Sequence, residues 1–126
     1  MDEKEKRIRK ITHLYYSNPA VQKTLLEFAK DREVVPRYFE SFGKRPDTIQ
    51  YLSDINGLVK KGSTSFHASE EIWENPLNIG SEMSKGEMNE LRKGWDLLID
   101  VDSNFFDCSR IAAKLIIEAL EYHGIK

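Results

Sequence analysis

Cysteine is nearly absent. Cys108 stands alone among 126 residues, so this chain forms no internal disulfide and carries no cysteine-rich zinc site. The periodicity around it is helical, and the thiol is expected as a small core residue. Long apolar runs are missing as well, and none approaches the roughly 20 residues that span a bilayer. The first ten residues, MDEKEKRIRK, hold no apolar signal core, which argues against secretion. Internal repeats, low-complexity segments and an evident interdomain linker are all lacking. Excess charge of one sign is lacking too: the formal net charge is −2, which gives no nucleic-acid signal.

What is present is a soluble, globular composition, 40% hydrophobic and 32% charged. The length suits one domain, or part of one, with a modest core. The charge is unevenly placed. Residues 1–61 carry 13 basic and 9 acidic side chains, a net of +4, and residues 62–126 carry 6 and 12, a net of −6. A cation would reduce the field of the acidic half, and the basic half could face phosphates. For most of these charges, ordinary solvated surface is the favoured account.

Helical spacing of Ile8, Ile11, Leu14 and Tyr15 predicts a helix over 4–16. Ser17-Asn18-Pro19 stops it and opens a second, with Asn18 as cap, Val21, Leu25, Phe28 and Ala29 as its apolar stripe, and an end near Asp31. Val34 to Phe39 reads as extended, and Pro36 marks it as an edge strand. Gly43 to Pro46 is a turn. Asp47 is expected to cap a helix whose Ile49, Leu52, Ile55, Leu58 and Val59 share a face, closed by Gly62 after Lys60-Lys61. Thr64 to Ser69 is a short strand. Trp73-Glu74-Asn75-Pro76 and Ile79-Gly80-Ser81 read as loop, and Ser84 to Lys93 as a short helix.

The chemistry is concentrated in Trp95-Asp96-Leu97-Leu98-Ile99-Asp100-Val101-Asp102-Ser103. Residues 95–102 read as a strand, which would aim Asp100 and Asp102 to one face and Val101 to the other. Two carboxylates so placed repel, and a hard divalent cation removes the repulsion while gaining oxygen ligands. Mg²⁺ or Mn²⁺ there suits phosphoryl or nucleotidyl transfer. A polar strand end running into a turn is the plain alternative. Asn104, with Asp107 three residues on, resembles a helix start. Cys108, Ile111, Ala112, Leu115, Ile116, Ala119 and Leu120 then form one apolar face up to about Tyr122, with His123-Gly124 as the end. That face is expected to pack on the sheet carrying the aspartates.

The stretch from about Ser65 onward resembles the catalytic (small) subunit of archaeal and eukaryotic DNA primases. The likeness rests on Asp100-Val101-Asp102 after Leu97-Leu98-Ile99, on Thr64 to Pro76 with Phe66-His67-Ala68-Ser69 and Trp73-Glu74-Asn75-Pro76, on Trp95, and on the long helix ending in His-Gly. Residues 1–63 resemble the family only as a helix-rich lead-in. The resemblance implies an α+β fold: a helical N-terminal region plus part of a small mixed sheet with packed helices, residues 1–126 being one domain, the N-terminal part of a primase-type catalytic core. It implies a DNA-directed primer-synthesising nucleotidyltransferase of DNA replication. Asp100 and Asp102 would hold Mg²⁺ or Mn²⁺ as catalytic metal ligands. His67, whose segment precedes the aspartate run, is a candidate to approach nucleotide phosphates, with a plain polar residue on a strand as the favoured alternative. Single-stranded DNA template, nucleoside triphosphates and a primase large subunit would be its partners, with no membrane. A cytoplasmic setting is expected, nucleoid-associated if the source is archaeal.

The chain also departs from that family. The serine-and-histidine strand that grips phosphates would begin beyond Lys126, and the third metal carboxylate and the zinc knob are absent. The expectation is therefore an incomplete catalytic domain: an excised piece, a truncated product or one half of a split enzyme, inactive alone. Rival readings use the same aspartates. A haloacid dehalogenase-type phosphatase would take the first as nucleophile, yet only 24 residues follow Asp102. A glycosyltransferase would need a nucleotide-binding unit upstream, and none is evident. A non-catalytic interaction module is the third.

Overall fold

In the first helix, α1 (Glu3–Tyr16), the Asp2 carboxylate accepts the Glu5 N–H at 2.7 Å, and Glu3 and Glu5 sit in the first turn. This places negative charge at the positive end of the helix dipole. Helix α2 (Pro19–Ala29) starts as expected, with Asn18 Oδ1 accepting the Ala20 N–H at 2.9 Å. The computed structural model describes residues 2–125. The chain divides into two compact units, one ending at Asp96 and the other beginning at Leu97.

The first unit mixes helices with two small antiparallel sheets. Strand β1 (Val34–Tyr38) lies between β2 (Ser41–Phe42) and β3 (Ser65–Ala68), with Val35 opposite His67 and Arg37 opposite both Ser65 and Phe42. The edge-strand expectation is thus corrected, because β1 is central. A strand residue turns its N–H and C=O toward the same neighbour. The Pro36 carbonyl accepts from Gly43 N at 2.8 Å, so its donor-less nitrogen faces the two-residue β2, and the ladder to β3 runs on.

Helix α3 (Leu52–Lys61) starts four residues later than a cap at Asp47 would place it. The carboxylate of Asp54, inside the first turn, accepts both the Gln50 and Tyr51 N–H groups at 2.9 Å and so fixes the start. Asp47 instead ties the loop to β1, its carbonyl accepting from Val34 N at 2.9 Å. Gly62 ends the helix at φ 108°, a left-handed conformation that glycine adopts without a Cβ clash.

A second sheet pairs β4 (Glu71–Trp73) with β5 (Arg92–Trp95). Between them lie a short 3₁₀ turn, Pro76–Asn78, and α4 (Lys85–Leu91), whose Ser84 Oγ accepts the Glu87 N–H. The expected strand over 95–102 is corrected. Pairing stops at Trp95, Asp96 N donates to Glu70 O at 2.8 Å, and residues 97–103 have no regular secondary structure. A strand exists only where a partner takes its backbone groups, and among the described residues no strand pairs with 97–103.

The core of this unit is Ala29, Val34, Ile49 and Ile55, with Tyr16, Leu25, Leu58 and Phe66 packed against it. Burial raises the Tyr16 hydroxyl pKa above its ordinary value, and the neighbouring Tyr15 adds to the effect.

The second unit consists of the 97–103 segment and α5 (Phe106–Tyr122). Phe105 occupies the cap position of α5 with no side-chain cap bond, so Asn104 does not cap it; Ser103 Oγ accepts the Phe105 N–H instead. The end matches expectation, with His123 as cap and Gly124 at φ 80°. None of the α5 residues is buried. Leu115 is 60% exposed and Cys108 is exposed, which corrects both as core residues. A segment this short cannot cover its own apolar face.

Candidate functional site

Asp100 and Asp102 are both solvent-exposed on the irregular segment after Asp96. They flank the half-buried Val101 and follow Leu97 and Leu98, which are 66% and 71% exposed. Their acidic neighbours are engaged: Asp96 pairs with Arg32 at 2.8 Å, and Asp107 faces Arg110 at 4.0 Å. Among the described residues, Asp100 and Asp102 make no ion pair. The expected sheet does not carry them, so a common strand face does not fix their orientation. They bring two oxygen-rich groups to one short segment, and no cluster of three or more His, Cys, Asp or Glu side chains forms around them or elsewhere among the described residues. As donors they suit a hard cation, and they supply part of a coordination shell.

His67 belongs to the first unit. It sits on β3 opposite Val35, exposed, with its Nε2 3.0 Å from Ser65 Oγ and its ring edge-on to Phe42 at 5.1 Å. Residues two apart on a strand share a face, which explains the Ser65–His67 contact. The ring borders a cleft of about 490 Å³ lined also by Glu33, Arg45, Phe42, Ser69 and Trp73. Arg45 Nη2 reaches Glu33 Oε1 at 2.5 Å. Hydrogen bonding to that carboxylate, then its charge, pushes the Arg45 guanidinium above its ordinary value. Trp73 is buried, and its Nε1 has no hydrogen-bond partner among the described residues.

Within the basic half, residues 1–61, Arg45 and Arg37 have intramolecular partners. Arg37 donates to Phe39 O at 2.7 Å, stands 3.7 Å from Glu40 and covers the Phe42 ring. Lys44, Lys60 and Lys61 are exposed. Tyr16 packs on the core, whereas Tyr15 and Phe42 stay more than half exposed.

Arg32 and Glu33 are the residues that sequence reasoning missed. Both are buried. Arg32 donates to Ser69 O at 2.9 Å, pairs with Asp96 and lies 4.2 Å over the Phe28 ring. The available signal was a charged pair directly before Val34-Val35, at the point where a chain enters its core.

No protein-family model matches this chain, and neither the curated proteins nor the solved structures contain a match to it. No helix among the described residues is long and apolar enough to cross a membrane.

Proposed function

We propose that the chain is part of a primase-like catalytic domain, with Asp100 and Asp102 as ligands of Mg²⁺ or Mn²⁺ in template-directed primer synthesis. One structural observation carries this reading. The two aspartates lack cationic partners among the described residues and follow the open apolar side chains Leu97 and Leu98 in the sequence, and Leu115 on α5 is left open as well. An apolar run and an apolar helix face without cover fit a sheet whose remaining strands come from further polypeptide.

The donor chemistry agrees with the metal. Two carboxylates offer hard oxygen ligands, and substrate phosphates and water complete such shells. When bound, the metals neutralise the triphosphate and favour ionisation of the attacking hydroxyl. The chain's own part is narrower: Asp100 and Asp102 bring two carboxylates to one short segment, and exposed His67 is assigned to nucleotide phosphates. On this reading a third carboxylate and a phosphate-gripping strand would be supplied from outside residues 1–126. Nucleoside triphosphates, a single-stranded DNA template and a primase large subunit are the partners this reading names.

The test is primer synthesis on a single-stranded template by the protein that carries these residues, in Mg²⁺ or Mn²⁺. Asp100→Ala or Asp102→Ala should abolish synthesis with an unchanged unfolding midpoint, because removing a like-charged neighbour relieves repulsion. Full activity in either variant removes the primase reading. Phosphate-ester hydrolysis that depends on Asp100 would put the phosphatase in its place.

A further inference from the structure

The cleft of about 490 Å³ beside β3 lies within the first unit, and its size suits a small molecule, for which sites run roughly 300–1,000 Å³. Its apolar wall combines buried Val35 and Trp73 with Ile79, Met88 and the more than half-exposed ring of Phe42. Most of its polar side chains are already engaged. Both oxygens of buried Glu33 accept from Arg45, at 2.5 and 3.4 Å. Glu71 accepts from Arg92 at 2.6 Å. Ser69 Oγ donates to Glu71 O at 2.7 Å and accepts the Glu33 N–H at 3.2 Å. Apart from His67, which meets Ser65, three polar groups of the lining are left over. Arg45 Nη1 and the buried Trp73 Nε1 are donors without an acceptor among the described residues. Glu70 is an exposed acceptor that makes no ion pair among them.

We infer that this cleft binds a small uncharged amide with an apolar body, its carbonyl accepting from Arg45 and its N–H donating to Glu70. The leftover groups select that class by elimination. A spare donor and a spare acceptor on one lining call for a ligand that carries both, and an amide does. A carboxylate would meet Glu70 as a like charge, and an ammonium would bring Arg45 a like charge and no acceptor. A polyphosphate would face the carboxylates of Glu33, Glu70 and Glu71, with only Arg45 and Arg92 set against them. Val35, Ile79, Met88 and Phe42 supply the contacts for the apolar body. The inference goes beyond the primase reading and does not rest on it, because Asp100 and Asp102 belong to the other unit.

The test uses the full chain, ¹⁵N-labelled, and three probes of similar shape: phenylacetamide, phenylacetate and phenethylamine. Phenylacetamide should shift the backbone signals of Val35, Phe42 and Ala68. It should bind roughly tenfold tighter than either charged probe, the worth of one hydrogen bond to a charged group. Glu70→Gln, at an exposed site, should cut the gap to phenylacetate to about threefold or less, since the like charge is gone. Phe42→Ser, at an exposed ring, should weaken all three probes with the fold retained. Either charged probe binding the unmodified chain as tightly as phenylacetamide would overturn the inference. So would shifts confined to other residues, no shift with any probe, or a gap to phenylacetate that Glu70→Gln leaves unchanged. Stronger shifts of the same signals by a nucleoside triphosphate would also overturn it and give the cleft to nucleotides. Phenylacetamide binding should persist in Asp100→Asn with Asp102→Asn, so loss of primer synthesis in aspartate variants would leave these results untouched.

Discussion

Arg32 and Asp96 form an ion pair at 2.8 Å that ties the start of β1 to the chain just past β5. The pair is lopsided: the Arg32 side chain is 10% exposed and that of Asp96 47%. The guanidinium therefore depends on its partners, whereas the carboxylate keeps water. Arg32→Ala should lower stability by about 1.5–3 kcal/mol, through lost charge-assisted hydrogen bonds to Ser69 O and Asp96. Asp96→Asn should cost no more than about 1 kcal/mol, and less in high salt. Urea midpoints at two ionic strengths check both values. A larger loss for Asp96→Asn than for Arg32→Ala would reverse the assignment of which partner is committed.

Burial separates two aliphatic side chains that look alike in the sequence. Ile55 is buried within the core cluster, while Leu115 is mostly exposed on α5. Ile55→Ala should destabilise by about 2–5 kcal/mol through lost transfer energy and a cavity. Leu115→Ala should stay within about 0.5 kcal/mol in the isolated chain, as at other exposed sites. In an assembly that covers α5, the Leu115 variant should become costly. Denaturant unfolding of both variants, alone and in that assembly, decides this.

Where a signal was local, the fold was legible. Asn18-Pro19, Ser84, Gly62 and Gly124 each fix a helix end through one backbone hydrogen bond or one φ value, and each end falls where the residues suggest. Pairing was not legible, because it depends on a segment elsewhere. Arg92-Lys93-Gly94-Trp95 makes a poor strand by composition, yet it pairs with Glu71–Trp73; Leu97-Leu98-Ile99 makes a good one and among the described residues has nothing to pair with. Asp47 and Asn104 are sound caps in isolation. Asp54 supplies the cap from inside α3, and Ser103 bonds the Phe105 N–H before α5. In the candidate site, His67 falls on β3 as read from its neighbours. The burial of Arg32 and Glu33 was hidden because charges ordinarily read as solvated surface.

Tyr16 gives the unit a pH dependence on the alkaline side. Burial raises its hydroxyl pKa, so the folded state favours the protonated phenol more than the unfolded state does. That contribution is complete below the ordinary value of about 10 and is lost as pH rises through the higher folded value. Stability should therefore fall with rising pH above about 10, and Tyr16→Phe should flatten that part of the curve. Urea midpoints across the alkaline range provide the measurement. An identical slope in the variant would assign the dependence to other groups.

Asp100 and Asp102 should bind Mn²⁺ weakly in the isolated chain, with a dissociation constant on the order of 1 mM, since two carboxylates are a sparse ligand set. Both are exposed and free of ion pairs among the described residues, so no internal cation competes with the metal. Paramagnetic Mn²⁺ should broaden the amide signals of residues 99–103 first. Asp107, facing Arg110 across 4.0 Å, is the internal control for a carboxylate that carries its own countercharge. Asp100→Asn with Asp102→Asn should remove the broadening at 99–103, and Asp107→Asn should leave it. The double variant leaves no repulsion to relieve and no anionic oxygens to offer, so Mn²⁺ should lose its preference for that segment. Broadening that persists there in the double variant, or that centres on the acidic residues of β4 and α4 in the unmodified chain, would move the metal away from this aspartate pair.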